Sequence, residues 1–295
     1  MPTATQLTDA VAEHGEGPVW DAAGGRLLCV DMNVGDLLAV DVADGSVRRA
    51  SVADTLAVLR PRTSGGWVAA VRRRFAVIED VDALLAGAQG ARMLEPLWDD
   101  EGVRFNEGGC DPQGRLYCGT MAFSAAEGAG SMWRLDPDGS TAQVMTGLTI
   151  SNGLAWSPDG SRAYYVDTPT GRVDLLHVDP ATGEVAGREP FAAVPEDASG
   201  GGGPDGLVVD AEGGVWVALY KGGGVLRFDA DGALTERLEV PTPLVTAVTF
   251  GGPDLATLFI TTSAQEEQVA DDPAAGAVFT HAPGVRGLLP LSYAG

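Results

Sequence analysis

Short apolar runs alternate with turn signals along the whole chain. Four segments can be laid over one another, and they begin at Glu16, Glu107, Asn152 and Asp205. Each has a polar residue and a glycine, an apolar run, a turn such as DPQG, SPDG or DAEG, and a second apolar run. Proline presets φ in such turns, Asp or Ser caps them, and glycine takes the positive φ. We therefore expect the flanking runs to pair as hairpins.

A third apolar run follows each hairpin, as in GSMWRLD and GGVLRFD. The unit recurs every roughly 40 to 55 residues, which is the size of a propeller blade. The interval from Glu16 to Glu107 is longer and is expected to contain a degenerate blade, RTSGGWVAAVRRRFAVIED, from Arg62. A weaker sixth copy, TAVTFGGPDLATLFITTSA, starts at Thr246. The pattern predicts an all-β fold, a six-bladed β-propeller.

We expect residues 1–295 to form one such domain. The last apolar piece, GLLPLSYAG at 287–295, is expected to pair with the first blade and close the ring, which would remove exposed strand edges. Helix signals are few, and VDALLAGA from Val81 predicts one short helical turn. A parallel α/β sheet would need amphipathic helices between strands, which the pattern lacks. A β-sandwich stays open as an alternative.

Composition narrows the class of partner. The formal net charge is -22, so the surface repels phosphate backbones and anionic membranes, and we expect neither nucleic acid nor a membrane as partner. Cys29, Cys110 and Cys118 have no paired spacing and are expected to be buried thiols. The N-terminal sequence has no signal-peptide pattern, and no segment is apolar enough to span a bilayer. We expect a cytoplasmic protein that is a monomer or a weak dimer.

The polar residue that opens each copy is the candidate for chemistry. Equivalent positions on different blades lie on a ring about the axis, at one mouth of the channel. Glu16, Glu107, Asn152 and Asp205 would face one another there, and carboxylates that close need compensation. A divalent cation is the simplest compensation, and oxygen ligands suit a hard ion such as calcium, magnesium or manganese. Alternatively, each polar–glycine pair is only a turn before a strand.

Five stretches that run in order through the chain match the motifs of one family. They are GEGPVWD at 15–21, RFNEGGCDPQGRLYCGTM at 104–121, ISNGLAWSPDG at 150–160, PDGLVVDAEGGVWVALYKGGGVLRFD at 204–229 and LLPLSYAG at 288–295. In these motifs the chain resembles the senescence marker protein, regucalcin and gluconolactonase family. The resemblance implies a six-bladed propeller with one axial divalent metal. Calcium is the first candidate, and zinc, manganese and magnesium are alternatives.

The resemblance also implies roles for single residues. In that family a Glu, an Asn and an Asp bind the metal, and these roles match Glu16, Asn152 and Asp205. An Arg and an Asn in an R-x-N stretch bind the sugar, which matches Arg104 and Asn106.

Two positions depart from the family pattern. Glu107 stands where the family usually has Asp, and its carboxylate reaches one methylene further; we group it with the substrate-binding residues. Animal members carry a substrate-binding Glu where Ser124 stands here. Tyr220 is a further candidate to line the pocket, and 122–130 and 60–64 are candidate rim loops.

His14 lies two residues before Glu16, so on a strand the two would share a face. We expect it to be a packing residue that could also contact the site.

The expected activity is metal-dependent hydrolysis of a small-molecule lactone, most simply a sugar lactone. The metal would polarise the carbonyl, and Asp205 would orient or deprotonate the attacking water, or act only as a ligand. Two alternatives stay open. Another hydrolase on this scaffold could cleave a different ester, lactone or organophosphate, and a propeller without catalysis could bind calcium or proteins.

Overall fold

Short antiparallel strands form six four-stranded sheets in the computed structural model, which describes residues 1–88 and 90–295. In five sheets the strands follow chain order from the innermost to the outermost. The sixth sheet takes its outermost strand from the N-terminus. The chain is therefore an all-β, six-bladed propeller, as the repeat predicts.

The first strand of the chain is β1 (Thr5–Gln6), which belongs to blade 6. The strands of blade 1 are β2 (Gly15–Asp21), β3 (Arg26–Asp31), β4 (Asp36–Val40) and β5 (Val47–Ser51). Those of blade 2 are β6 (Val58–Pro61), β7 (Trp67–Val71), β8 (Arg74–Ile78) and β9 (Ala91–Met93). Those of blade 3 are β10 (Val103–Cys110), β11 (Leu116–Ala122), β12 (Gly130–Leu135) and β13 (Thr141–Leu148).

The second half of the chain repeats this order. The strands of blade 4 are β14 (Ser151–Trp156), β15 (Ala163–Asp167), β16 (Arg172–Val178) and β17 (Val185–Ala193). Those of blade 5 are β18 (Gly203–Val209), β19 (Val215–Tyr220), β20 (Gly224–Phe228) and β21 (Leu234–Glu239). Blade 6 adds β22 (Val245–Gly251), β23 (Thr257–Thr262) and β24 (Phe279–His281) to β1.

Helical structure is short. The predicted turn at Val81 is confirmed as α1 (Val81–Leu85), which Asp80 caps by accepting a hydrogen bond from the Ala83 N–H. The other helical pieces are α2 (Glu196–Ser199) and two 3₁₀ turns, Thr168–Thr170 and Glu267–Val269. Among the described residues, no helix has the length and apolar character that crossing a membrane requires.

The ring is closed by the N-terminal strand. Thr5 pairs with Thr280 and Gln6 with Phe279, so the two ends of the chain share blade 6. Closure of this kind removes the edge that the last sheet would otherwise expose.

The prediction that 287–295 pairs with blade 1 is wrong. The segment instead crosses the mouth of the channel at which the inner strands end. Gly287 bridges Asp210 of blade 5, and Tyr293 bridges Arg62 of blade 2. Pro290 within the segment has no N–H to give to a strand ladder.

Large aromatic side chains fill the spaces between neighbouring blades. Trp20 of blade 1 stacks on Phe259 of blade 6, with ring centroids 5.9 Å apart. Trp216 of blade 5 meets Phe250 of blade 6 edge to face at 6.0 Å. These two tryptophans therefore pack between blades, where burial of aromatic area contributes strongly to stability.

Candidate functional site

The inner strands of five blades have a register shift where the repeat opens, at a polar–glycine step in four blades and at Thr246–Ala247 in blade 6, whereas β6 of blade 2 pairs evenly. The shifts lie between Glu16 and Val19, Phe105 and Gly108, Ser151 and Leu154, Pro204 and Leu207, and Val245 and Ala247. A bulge bends its strand and changes the direction of a side chain. The repeated dipeptide is therefore a repeated bulge and not only a turn before a strand.

Glycine follows the polar residue because the inner strands come very close near the axis. A Cβ added at Gly153 would lie 2.6 Å from the backbone nitrogen of Leu207 in the next blade. One added at Gly206 would lie 2.5 Å from Ala247 Cβ. A side chain at either position would push two blades apart.

The four polar residues that open the repeats are all buried: Glu16, Glu107, Asn152 and Asp205. Burial raises the pKa of Glu16 well above its ordinary value, and the negative charges of Asp205 and then Glu107 raise it further. Burial and Glu107 likewise raise the pKa of Asp205, against the opposing effects of the Asn152 amide and the Gly206 N–H. The carboxylates thus lie close enough to repel one another, as the repeat predicts.

Two oxygens in this cluster have no hydrogen-bond partner in the described part of the chain. They are Asn152 Oδ1 and Asp205 Oδ1, and both are buried. A buried oxygen without a hydrogen-bond donor raises the free energy of the folded state, and it is usually satisfied by an ion, a water or a ligand. Two orphaned oxygens and the neighbouring Glu16 carboxylate form a donor set that suits a hard divalent cation.

No group of three or more His, Cys, Asp or Glu side chains suited to a metal occurs within residues 1–88 and 90–295. The set that the sequence predicts contains an amide, so only Glu16 and Asp205 belong to those residue types. An all-oxygen site with an Asn ligand is compatible with this finding.

Arg104 and Asn106 form one rigid unit beside the carboxylates. Arg104 Nη1 donates to Asn106 Oδ1 over 2.6 Å and to the Phe105 carbonyl over 2.9 Å. Asn106 Nδ2 in turn donates to the Ser151 carbonyl over 2.9 Å. Arg104 Nε is buried without an acceptor in the described residues. The guanidinium therefore keeps an unused donor at the site.

Burial lowers the pKa of Arg104 to about 10, although the carboxylate of Glu16 acts to raise it. The guanidinium stays charged at neutral pH and partly balances the carboxylates around it.

Glu107 is paired within the channel by a residue that the sequence analysis missed. Arg60 Nη2 lies 3.3 Å from Glu107 Oε1. Burial raises the pKa of Glu107, and the charge of Arg60 opposes that rise. Arg60 comes from blade 2, which lacks the polar–glycine step, so the repeat gives no signal for it.

His14 is buried next to the site and is held by a neighbour from blade 6. Its Nδ1 lies 2.9 Å from Ser263 Oγ, and its Nε2 lies 3.9 Å from Glu16 Oε1. Burial, assisted by the charge of Arg104, lowers the pKa of His14 to about 3. A neutral imidazole therefore packs against the Glu16 carboxylate.

The remaining predicted positions lie around the rim. Tyr220 ends β19 at the site mouth, where its hydroxyl bonds Glu266 at 3.0 Å and its ring meets His14 edge to face. Ser124 is exposed on the 122–130 loop, which follows β11 at the same mouth and lies outside the buried cluster. Of the candidate rim loop 60–64, the first two residues belong to β6 (Val58–Pro61), and the turn that follows them lies at the opposite mouth, where Arg62 bridges Tyr293.

The fold and the site together define a class of protein: a six-bladed propeller in which buried carboxylates and an amide converge in one half of the axial channel. The chain belongs to the family described as SMP-30/Gluconolactonase/LRE-like region, which matches residues 14–264. This finding confirms the resemblance noted from the motifs.

Individual relatives extend over nearly the whole chain. A pentonolactonase of Haloferax volcanii is 37% identical over 94% of this chain and 93% of its own. A 6-deoxy-6-sulfogluconolactonase of Pseudomonas putida is 36% identical over 95% of both chains. A crystal structure described as the calcium-binding protein regucalcin of Agrobacterium tumefaciens matches with TM-score 0.89, at 28% identity over 99% of this chain and 98% of the other.

Proposed function

We propose that this chain is a metal-dependent lactonase that hydrolyses a sugar lactone. In this proposal Glu16, Asn152 and Asp205 hold one divalent cation. The observation that carries it is the pair of buried oxygens without partners, Asn152 Oδ1 and Asp205 Oδ1, beside a buried carboxylate. Two relatives named as lactonases, aligned over more than nine tenths of their length, support the same reading.

Calcium is the first candidate ion because every donor is oxygen, and a similar solved structure is described as calcium-binding. Zinc, manganese and magnesium are the alternatives. A divalent cation bound there would polarise the lactone carbonyl and stabilise the charge that grows on its oxygen.

The chain's own side chains supply the remaining steps. Asp205 has one buried oxygen free of hydrogen bonds, so it can orient the attacking water and accept its proton, or serve as a ligand only. Arg104 offers its free Nε–H, held in place by Asn106, to a substrate oxygen. Glu107 lies near Asp205, whose pKa its charge helps to raise, and its own charge is partly balanced by Arg60.

A second candidate is hydrolysis of a less polar ester or lactone on the same site. One observation favours it. Phe123 is exposed on the rim, and its ring centroid lies 5.7 Å from Arg104 Cζ. At this wall the apolar ring and the exposed Ser124 beside it offer few groups that can hydrogen-bond the hydroxyls of a sugar. A panel of aldonolactones and alkyl-substituted lactones would separate the two substrates by their kcat/KM.

The test uses three variants of the full chain, E16Q, D205N and the exposed control E13Q. Bound calcium is measured by titration calorimetry, and proton release from an aldonolactone by titration at constant pH. We expect E16Q and D205N to lose both calcium and hydrolysis, whereas E13Q keeps both. Full activity in E16Q and D205N would refute the assignment of these residues to the metal site. Calcium binding without hydrolysis of any lactone would refute the proposed enzymatic activity.

A further inference from the structure

The half of the axial channel opposite the carboxylates contains a cavity of about 380 Å³, here called the lower chamber. All six inner strands contribute to its wall, and the C-terminal segment Leu288–Leu291 borders it on the outside. A volume of this size is typical of small-molecule sites. The chamber is separate from the proposed metal cluster and does not depend on the proposed function.

The wall of the lower chamber is mostly apolar, with side chains such as Val19, Leu154, Trp156 and Leu207. An apolar lining favours a ligand with a hydrocarbon body because burial of that body releases it from water.

Two charged residues lie in this wall, Arg60 and Asp159. The Asp159 carboxylate already accepts the hydroxyls of Ser157 and Ser161, at 2.6 and 2.8 Å. Asp159 keeps its negative charge and is exposed at the edge of the wall, so Arg60 is the cationic group that this wall offers to a ligand.

The guanidinium of Arg60 is held at the boundary between the two halves of the channel. Nη1 donates to the Leu59 carbonyl over 2.8 Å, and Nη2 donates to Glu107 Oε1 over 3.3 Å and to the Gly108 carbonyl. Nε has no protein acceptor within the described residues. Both N–H groups of Nη2 are thus occupied, and because Arg60 lines the lower chamber, its Nε–H is the donor left for a ligand there.

We infer that the lower chamber binds a small monocarboxylate with an apolar body, such as a medium-chain fatty acid. The hydrocarbon lies against Leu154, Leu207 and Trp156, and the carboxylate accepts a hydrogen bond from Arg60 Nε. Guanidinium and carboxylate form strong charge-assisted hydrogen bonds where water is excluded. The net charge of -22 opposes the approach of an anion. That effect is screened beyond about 8 Å at physiological ionic strength, whereas the contact with Arg60 is not.

Octanoate and 1-octanol are suitable probes because they share the apolar body and differ in the charged group. Titration calorimetry on the full chain, with tryptophan emission as a second readout, is expected to give one octanoate site. We expect 1-octanol to bind about tenfold more weakly, as the loss of one charge-assisted hydrogen bond predicts.

Three variants locate the site. R60M/E107Q removes the cation without leaving a buried carboxylate unpaired, and it is expected to abolish the preference for octanoate over 1-octanol. V248F places a larger side chain in the wall and is expected to weaken both probes. R62M alters another arginine of the same mouth, outside the chamber wall, and is expected to change neither.

Each alternative result overturns the inference. No binding of octanoate, or equal binding of octanoate and 1-octanol by the unmodified chain, would refute recognition by Arg60. Octanoate binding that persists unchanged in both V248F and R60M/E107Q would place the ligand outside the lower chamber.

Discussion

Asn152 donates a hydrogen bond from Nδ2 to Thr168 Oγ1 over 3.0 Å, and the same hydroxyl donates to the Pro204 carbonyl over 2.9 Å. Thr168 begins a 3₁₀ turn of blade 4, and Pro204 precedes Asp205 in blade 5. One hydroxyl therefore links the two blades that supply Asn152 and Asp205. The same hydroxyl accepts a hydrogen bond from the Asn152 amide nitrogen. It therefore fixes the amide group whose oxygen has no partner in the described residues.

The variant T168V keeps the shape of the side chain and removes this hydroxyl. Because the Asn152 amide loses its orientation, we expect calcium affinity to fall about 10-fold or more, the usual effect of losing a group that orients a ligand. Titration calorimetry measures it. The control T170V lies on the same turn, where its hydroxyl makes only a 3.5 Å contact with the Arg172 carbonyl. Equal affinities in both variants would contradict the role of Thr168.

The repeat made the fold predictable because each blade encodes its own hairpins. Turns such as DPQG and SPDG specify local pairing, and that pairing needs no knowledge of distant residues. Closure was not predictable in the same way. β1 has two residues, too few to show a period, and it pairs with Thr280 across most of the chain. The apolar C-terminal segment 287–295 has the pattern of a closing strand, but it lies across the channel mouth opposite the carboxylates.

The site was predictable only where it follows the repeat. Glu16, Asn152 and Asp205 open aligned copies, and the structure brings them together. Arg60 and Thr168 do not belong to the repeated polar–glycine step. Whether their side chains reach the site depends on how neighbouring blades pack. No pattern in the sequence carries that information.

The pKa shifts of the cluster predict how calcium and pH act together on stability. The pKa values of Glu16 and Asp205 are raised in the folded chain, so folding binds their protons more tightly. The stability that this contributes is present below the ordinary carboxyl pKa and is lost as pH rises through the raised values. A cation favours the ionised carboxylates. We therefore expect calcium, compared with chelator, to raise the melting temperature more at about pH 8 than at about pH 5.

Differential scanning calorimetry with calcium or with chelator, at both pH values, measures this effect. The double variant E16Q/D205N is the control and is expected to show no calcium shift at either pH. A larger calcium shift at the acid pH would contradict the argument.

His14 gives a second pH dependence, with the opposite sign. Its pKa is lowered from 6.5 to about 3 in the folded chain, so the unfolded chain takes up a proton below pH 6.5 and the buried imidazole does not. Stability is present above the unfolded value and is lost as pH falls below it. At about pH 5 the loss amounts to about 2 kcal/mol.

The variant H14Q removes this titration and keeps an amide near Ser263. Urea unfolding at about pH 7 and pH 5 is expected to show a smaller acid loss in H14Q than in the unmodified chain. H177Q, at an exposed histidine, is the matched control and is expected to retain the full acid loss. The prediction fails if H14Q and H177Q lose stability equally.

The close approach of inner strands predicts a large effect for one added methyl group. In G153A the new Cβ would lie 2.6 Å from the Leu207 nitrogen, which belongs to backbone and cannot swing away. We expect a loss of about 1 to 3 kcal/mol, as for other overpacked sites, and weaker calcium binding because Asn152 shifts. In G187A only His177 lies within 4 Å of the added Cβ. We therefore expect its melting temperature, measured by thermal unfolding, to be nearly that of the unmodified chain. A G153A chain as stable as G187A would refute the steric argument.

Closure by the N-terminal strand predicts how the whole ring responds when its seam is opened. Deleting residues 2–6 removes β1, leaves β24 as an unpaired edge and uncovers the space that buried Ala4 fills. Each blade packs on two neighbours, so strain at the seam passes around the ring. We therefore propose that residues 1–295 behave as one domain, and we expect the deletion to lower the temperature of a single calorimetric transition. Two separate transitions in the deleted chain would show that the blades on either side of the seam unfold independently. An unchanged transition would show that two residue pairs do not hold the ring closed.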